Sequence, residues 1–182
     1  MKLLNKVALI TGGGGAFGRA MALLFAKEGA DIAVCDINLQ TAEETADAVK
    51  RSDGKAIAIK ADISSETDID AMVGEVIAEF GGIHILVNNA GMSSSGGPTI
   101  EQSIEHWDKV VAVQLRGTYL CCRRVGKWMV PNKTGKVLNI ASIAGISGVP
   151  MITDYGSSKA GIINMTRALA VEWGKYNINV NA

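Results

Sequence analysis

Six short runs rich in β-branched residues punctuate the chain, and between them lie five longer segments whose apolar residues recur at three- and four-residue steps. The runs read VALIT, IAVCD, AIAIKA, IHILVN, KVLNIAS and INVNA. Such alternation argues for repeated strand–helix–strand units, which pack as a parallel sheet with helices on both faces. The first helical segment places Phe17, Ala20, Met21, Leu24 and Phe25 on one stripe and stops at Gly29. The third has Ser65 as its N-cap, Asp68 three residues on, an apolar stripe from Ile69 to Phe80, and a Gly81-Gly82 stop. Pro98, Pro131 and Pro150 are read as lying in connections.

The length, 182 residues with 48% hydrophobic content, suits one domain with a sizeable core. Lys plus Arg equals Asp plus Glu at 18 each, so no net field recruits nucleic acid or an anionic membrane. A small-molecule ligand is the expectation. Cys35, Cys121 and Cys122 are few and two are adjacent, which reads as reduced, packed thiols. With no signal peptide or membrane-length apolar run in the sequence, the expectation is a cytoplasmic protein.

In a doubly wound sheet, ligands bind beyond the carboxyl ends of the strands, so function belongs in TGGGGAFG, CDIN, KADIS, NNAGMSSSGG and NIASIAGIS. The glycine run parses two ways: GxGxxG on Gly13, Gly15 and Gly18, or a looser TGxxxGxG on Gly12 and Gly18 with Ala16 at the middle glycine. Either way its glycines let the backbone approach a pyrophosphate at a helix N-terminus. Asp36 ends the second strand 24 residues after Gly12, where a carboxylate can accept hydrogen bonds from both adenosine ribose hydroxyls. It would repel a 2′-phosphate, so NAD is expected over NADP. Asp62 is placed to meet adenine and Asn88 to Gly91 the nicotinamide half. The plainer alternatives are that Asp62 caps a turn and that Asn88 or Asn89 satisfies backbone groups at a strand end.

Beyond Ser142 by 13 residues comes YGSSK, with Tyr155 and Lys159 four apart on a helix and therefore on one face. A free tyrosine is a poor base at neutrality, but a lysine ammonium one turn away favours the phenolate and makes an acid/base of it.

TGGGGAFG, Asp36, NNAG, Ser142 and YxxxK, in this order and spacing, resemble the short-chain dehydrogenase/reductase family across essentially the whole chain. The resemblance implies a Rossmann-like three-layer α/β/α fold and an NAD(H)-dependent interconversion of a secondary alcohol and a ketone. Tyr155 would exchange the proton, Ser142 would hold the substrate oxygen, and Lys159 would bind the nicotinamide ribose. The cofactor set would be Gly12, Gly15, Ala16, Phe17, Gly18, Asp36, Ile37, Asp62, Ile63, Asn88, Asn89, Ala90 and Gly91 with Tyr155 and Lys159. It selects Gly12 and Gly18 as the matching glycines, leaves a methyl group at Ala16 with Gly15 beside it, and implies a homodimer or homotetramer. Where the family has an asparagine in the fourth helix that holds a water next to the lysine, this chain has Gln114 in VQLRG. Gln114→Asn is therefore expected to leave activity equal or higher; a collapse would mean a helix built around glutamine. The family runs longer, so the resemblance further implies a domain incomplete at its C-terminus, lacking its substrate lid.

Two alternatives stand beside this: a 3-oxoacyl-thioester reductase-like enzyme, and a cofactor-binding protein without turnover. His84, placed in the fourth strand, and His106 have no partners at ligand spacing, so neither a metal site nor a Ser-His-Asp hydrolase is expected. Trp107, Trp128 and Trp173 read as packing.

Overall fold

The computed structural model describes residues 1–182. One parallel sheet runs through it, built from β1 (Val7–Thr11), β2 (Asp31–Asp36), β3 (Ala56–Lys60), β4 (Ile85–Asn88), β5 (Gly135–Asn139) and β6 (Ile178–Asn181). The strand order is β3-β2-β1-β4-β5-β6. The order reverses between β1 and β4, and there Thr11 is in register with both Cys35 and Asn88. Three strand ends thus lie level at the crevice where such sheets bind ligands.

The period of two in the strands divides their side chains between two cores. Val7, Leu9, Ala33 and Cys35 pack with Ile69, Met72, Val73 and Val76 of α3 (Glu66–Phe80). Ala8, Ile10, Ile32 and Val34 pack with Ala22 of α1 (Ala16–Lys27) and Ala42, Ala46 and Val49 of α2 (Leu39–Lys50). The Ser65 hydroxyl accepts from the Asp68 amide, and Gly81 closes α3 at φ 79°. In α1 the buried residues are Gly18 and Ala22, whereas Phe17, Ala20 and Leu24 are exposed. The stripe read from the sequence is turned about one residue from the true one, because small residues let this helix sit close to the sheet.

The long fourth helix is two helices, α4 (Ile104–Val111) and α5 (Thr118–Asn132), joined by a π-helical stretch, Ala112–Gly117. Its wide turn lies against the loop after β3: a Cβ on Gly117 would stand 2.9 Å from Ile63 O. Pro131 lies inside the last turn of α5, not in a connection, and Lys133 ends the helix at φ 51°. A proline so near the end costs few of the helix's bonds. His84 precedes β4 and its Nδ1 accepts from the Val7 amide at 3.1 Å, with its ring edge-on to Trp128. Cys35, Cys121 and Cys122 are buried free thiols. The last helix, α6 (Thr153–Trp173), packs on β6 and on a 3-10 turn, Ile143–Gly145. No helix is long and apolar enough to cross a membrane.

Candidate active site

The glycine run leaves β1 through Gly12, at φ 62°, where a Cβ would also stand 2.7 Å from Ala90 Cα. A side chain on Gly18 would collide with Gly12 O, whereas one on Gly15 meets nothing nearer than 3.5 Å. Gly12 and Gly18, the glycines of the looser parse, are both constrained, as is Gly13, whose Cβ would stand 2.6 Å from Val34 Cγ1. Gly15 is the N-cap of α1 and offers no side-chain cap, so the first amides of the helix are left for a ligand. Ala16 and Phe17 are exposed at that opening, with Phe17 at 72%.

Asp36 braces the run from the next strand, accepting from the Gly14 amide on one oxygen and the Asn38 amide on the other, each at 3.0 Å. No cation pairs with it. A cleft of about 260 Å³ is lined by Gly12, Asp36, Ile37, Asp62, Ile63, Ala90 and Gly91, among others. It gathers seven of the residues singled out in the sequence. Asp62 also takes its plainer part, its Oδ1 accepting from the Ser64 amide and hydroxyl.

The two asparagines of NNAG behave differently. Asn89 donates from Nδ2 to Thr11 O and Gly12 O, which fixes the glycine turn to the end of β4. The Thr11 hydroxyl accepts from the Asn89 and Ala90 amides. Asn88 points into the core, donating to Asn139 Oδ1 at 2.8 Å beside Cys122, and Asn139 in turn donates to Thr166. The Asn88 carbonyl accepts from the Ile140 amide at 2.9 Å, so its backbone also serves the sheet.

On the other flank, Gly156 and Gly145 allow α6 and the 3-10 turn to meet: a Cβ on Gly156 would be 3.1 Å from Ala144 O, and one on Gly145 2.7 Å from Lys159 C. This close fit packs the turn after Ser142 against α6, and Ser142 itself lines a cleft with Ile163, Thr166 and Arg167 of that helix. Ser142 Oγ accepts from the Ala144 amide at 3.2 Å, leaving its O–H free to donate. Lys159 Nζ donates to Ile140 O at 2.6 Å and lies 5.4 Å from the Tyr155 ring centroid. Burial pushes the Lys159 ammonium down to about 8, since a half-dry site disfavours its charge.

Gln114 lies in the π stretch and is 2% exposed. Its Nε2 donates to Met92 O at 2.8 Å, while Oε1, without a partner, lies where a Cβ on Gly91 would come within 2.8 Å. Glycine at 91 thus makes the room that the extra methylene needs. No cluster of His, Cys, Asp or Glu forms a metal site.

The family model described as short chain dehydrogenase matches residues 6–182. The chain belongs to the short-chain dehydrogenase family. Among its short-chain dehydrogenase relatives, the (2S)-[(R)-hydroxy(phenyl)methyl]succinyl-CoA dehydrogenase subunit BbsD of Thauera aromatica is 42% identical, over 100% of this chain and 72% of its own length. The cyclohexanol dehydrogenase of an Acinetobacter species is 36% identical over the same shares. A crystal structure of NAD+-bound xylitol dehydrogenase superposes with a TM-score of 0.98 at 34% identity, covering 100% of this chain and 70% of that one. A levodione reductase structure gives 0.96 at 37% identity, covering 99% and 70%. The fold is the Rossmann-like sheet of these short-chain dehydrogenases, and the family is one of oxidoreductases.

Sequence reading missed the groups between Ser93 and Asp154. His106 Nε2 is 3.2 Å from Ser93 O and 3.9 Å from the Asp154 carboxylate, and Gln102 Nε2 donates to Gly97 O and Met151 O. The contacts that reach α6 span too much chain for spacing to reveal them, Gln102 meeting Met151 across 49 positions.

Proposed function

We propose that this chain moves a hydride between NAD(H) and a secondary alcohol or ketone, with Tyr155 as the acid/base. The observation that carries the reading is the Tyr155–Lys159 pair one helical turn apart, with the Lys159 ammonium tethered to Ile140 O beside the tyrosine ring. The bound nicotinamide supplies the hydride donor or acceptor. Gly12 and the first turn of α1 receive its pyrophosphate, where amides and helix dipole favour negative charge. Asp36 receives the adenosine ribose. Its carboxylate has no compensating cation, which supports NAD over NADP, whose 2′-phosphate would meet a bare negative charge.

At the reacting end, Ser142 Oγ–H donates to the substrate oxygen and the Tyr155 hydroxyl gives or takes that oxygen's proton. Lys159 keeps a positive charge beside the phenolate that forms, and holds the nicotinamide ribose. Exposed Ile146 and Val149 line a cleft of about 340 Å³ with Thr153 and Gly156, which supports a substrate with an apolar ring or chain. A thioester-bearing hydroxy acid is the second reading, favoured by the relative named for a succinyl-CoA substrate. Assembly as a homo-oligomer belongs to the same proposal.

Tyr155→Phe tests it. Hydride transfer between NAD+ and cyclohexanol should fall by about 10²- to 10⁴-fold, the usual worth of a positioned acid/base. NADH should still change tryptophan fluorescence. Equal inertness of wild type and variant, with NADH still bound, would establish a cofactor-binding protein instead.

A further inference from the structure

Three cross-links tie the segment from Met92 to His106 to the leading end of α6. Thr99 Oγ1 and Thr153 Oγ1 are hydrogen-bonded at 2.8 Å. Gln102 Nε2 donates to Met151 O at 3.1 Å, and Met151 is held at φ 69°, left-handed backbone that a non-glycine residue rarely adopts. The third link is His106, whose Nε2 must carry its hydrogen to donate to Ser93 O at 3.2 Å and which faces Asp154 Oδ2 at 3.9 Å.

Asp154 is the unusual member. It is 1% exposed, and a buried carboxylate is costly unless it is partnered. Its Oδ1 accepts from the Tyr155 amide at 2.7 Å; His106 is the side chain brought to the other oxygen. The N-cap of α6, Ile152, supplies no side-chain hydrogen bond, so Asp154 is the acid that serves the positive end of this helix. One imidazole nitrogen therefore hydrogen-bonds the loop beyond β4 and stands 3.9 Å from the carboxylate that accepts from the Tyr155 amide.

We infer that His106 is a positioning residue: by joining Ser93 to Asp154 it fixes the loop from Met92 to Gly97 against the first turn of α6 and so sets where Tyr155 stands. The inference rests on the proposed role of Tyr155. Its weight comes from the steep dependence of rate on placement, since a shift of about 1 Å can cost about 10²-fold.

The test compares His106→Ala, His106→Gln and Asp154→Asn with wild type. Amide hydrogen exchange should quicken in both 92–97 and 152–158 in His106→Ala. The turnover number with NAD+ and cyclohexanol should fall roughly tenfold, with KM for NAD+ and NADH affinity within about twofold, because the alanine variant disturbs placement and not the glycine turn. His106→Gln, whose amide can donate to Ser93 O, should recover most of the loss. Asp154→Asn keeps an acceptor for the Tyr155 amide and removes the charge, so it should loosen 152–158 alone. It also carries the test if the alanine variant does not fold. Unchanged exchange in both segments, or a rate loss matched by weakened NADH binding, overturns the inference. If wild type turns over no alcohol, the functional proposal fails while the exchange result still decides the link.

Discussion

Replacing Asp36 by Asn separates two effects of one carboxylate. An amide oxygen can still accept from Gly14 or Asn38, but the negative charge is gone. The preference for NADH over NADPH should narrow by about tenfold or more, roughly 1.4 kcal/mol, in a fluorescence titration of both. An unaltered ratio would mean that discrimination lies elsewhere. Ala16 makes the opposite kind of case. Its methyl sits exposed at the first residue of α1, beside amides that a pyrophosphate would approach. Ala16→Gly should tighten NADH binding, and an unchanged dissociation constant would mean that this loop already clears the ligand. Gly12 allows no such exchange. Gly12→Ala should destabilise the fold by about 1–3 kcal/mol in urea unfolding, from its left-handed backbone and the approach of Ala90.

The π stretch shows what a spacing rule can and cannot read at the scale of elements. Apolar periodicity runs through Trp107 and Val110 to Leu120 and Val125 and looks continuous, so the widened turn that buries Gln114 leaves no mark in the pattern. Gln114→Asn, judged from sequence, should be harmless. In the structure Gln114 Nε2 reaches Met92 O, and a shorter amide would fall back from it, leaving that carbonyl without its donor and a gap beside Gly91. The expectation now reverses to a loss of about 1 kcal/mol of stability and reduced turnover, measured by denaturant midpoint and rate. Punctuation was legible where caps and stops are unambiguous, though Pro131 was read as a connection and lies inside α5. Ser65 and Gly81 bound α3 as their residue types require, and the six strands fall within the six β-branched runs to within a few residues. The stripe of α1 was misjudged because Gly18 and Ala22, the residues that let it pack closely, carry little apolar weight. Within the site, residues sharing a turn or a strand end were readable from order alone. Asn88 was placed on the right strand end, but its turn toward Asn139 depends on a partner 51 positions away.

Across the whole molecule, buried titratable groups bound the pH range of stability from both sides. Burial raises the thiols of Cys35 and Cys122 to about 12 and that of Cys121 well above its ordinary value. Unfolding frees them to ionise near 9, so their contribution is whole below that and is lost as pH climbs toward 12. Lys159 works the other way: held near 8, it is a burden at neutral pH that is relieved between 8 and 10.5. Three thiols outweigh one lysine, so the urea midpoint should change little from pH 8 to 9 and drop by pH 10.5. A midpoint still rising at 10.5 would contradict this. On the acid side, burial holds His84 below its ordinary 6.5, so unfolding gains a proton there and stability declines as pH falls below that value. The strand order has a consequence in time as well as space. β1 lies at the centre of the sheet, paired with β2 in register Val7 to Asp31 and with β4 in register Ala8 to Ile85. Loop closure favours the nearer partner, and a chain emerging from a ribosome offers β2 and β3 long before β4. The half that would cradle the adenosine is thus favoured to assemble first, and the strands leading to Ser142 and Tyr155 dock onto an edge that already exists.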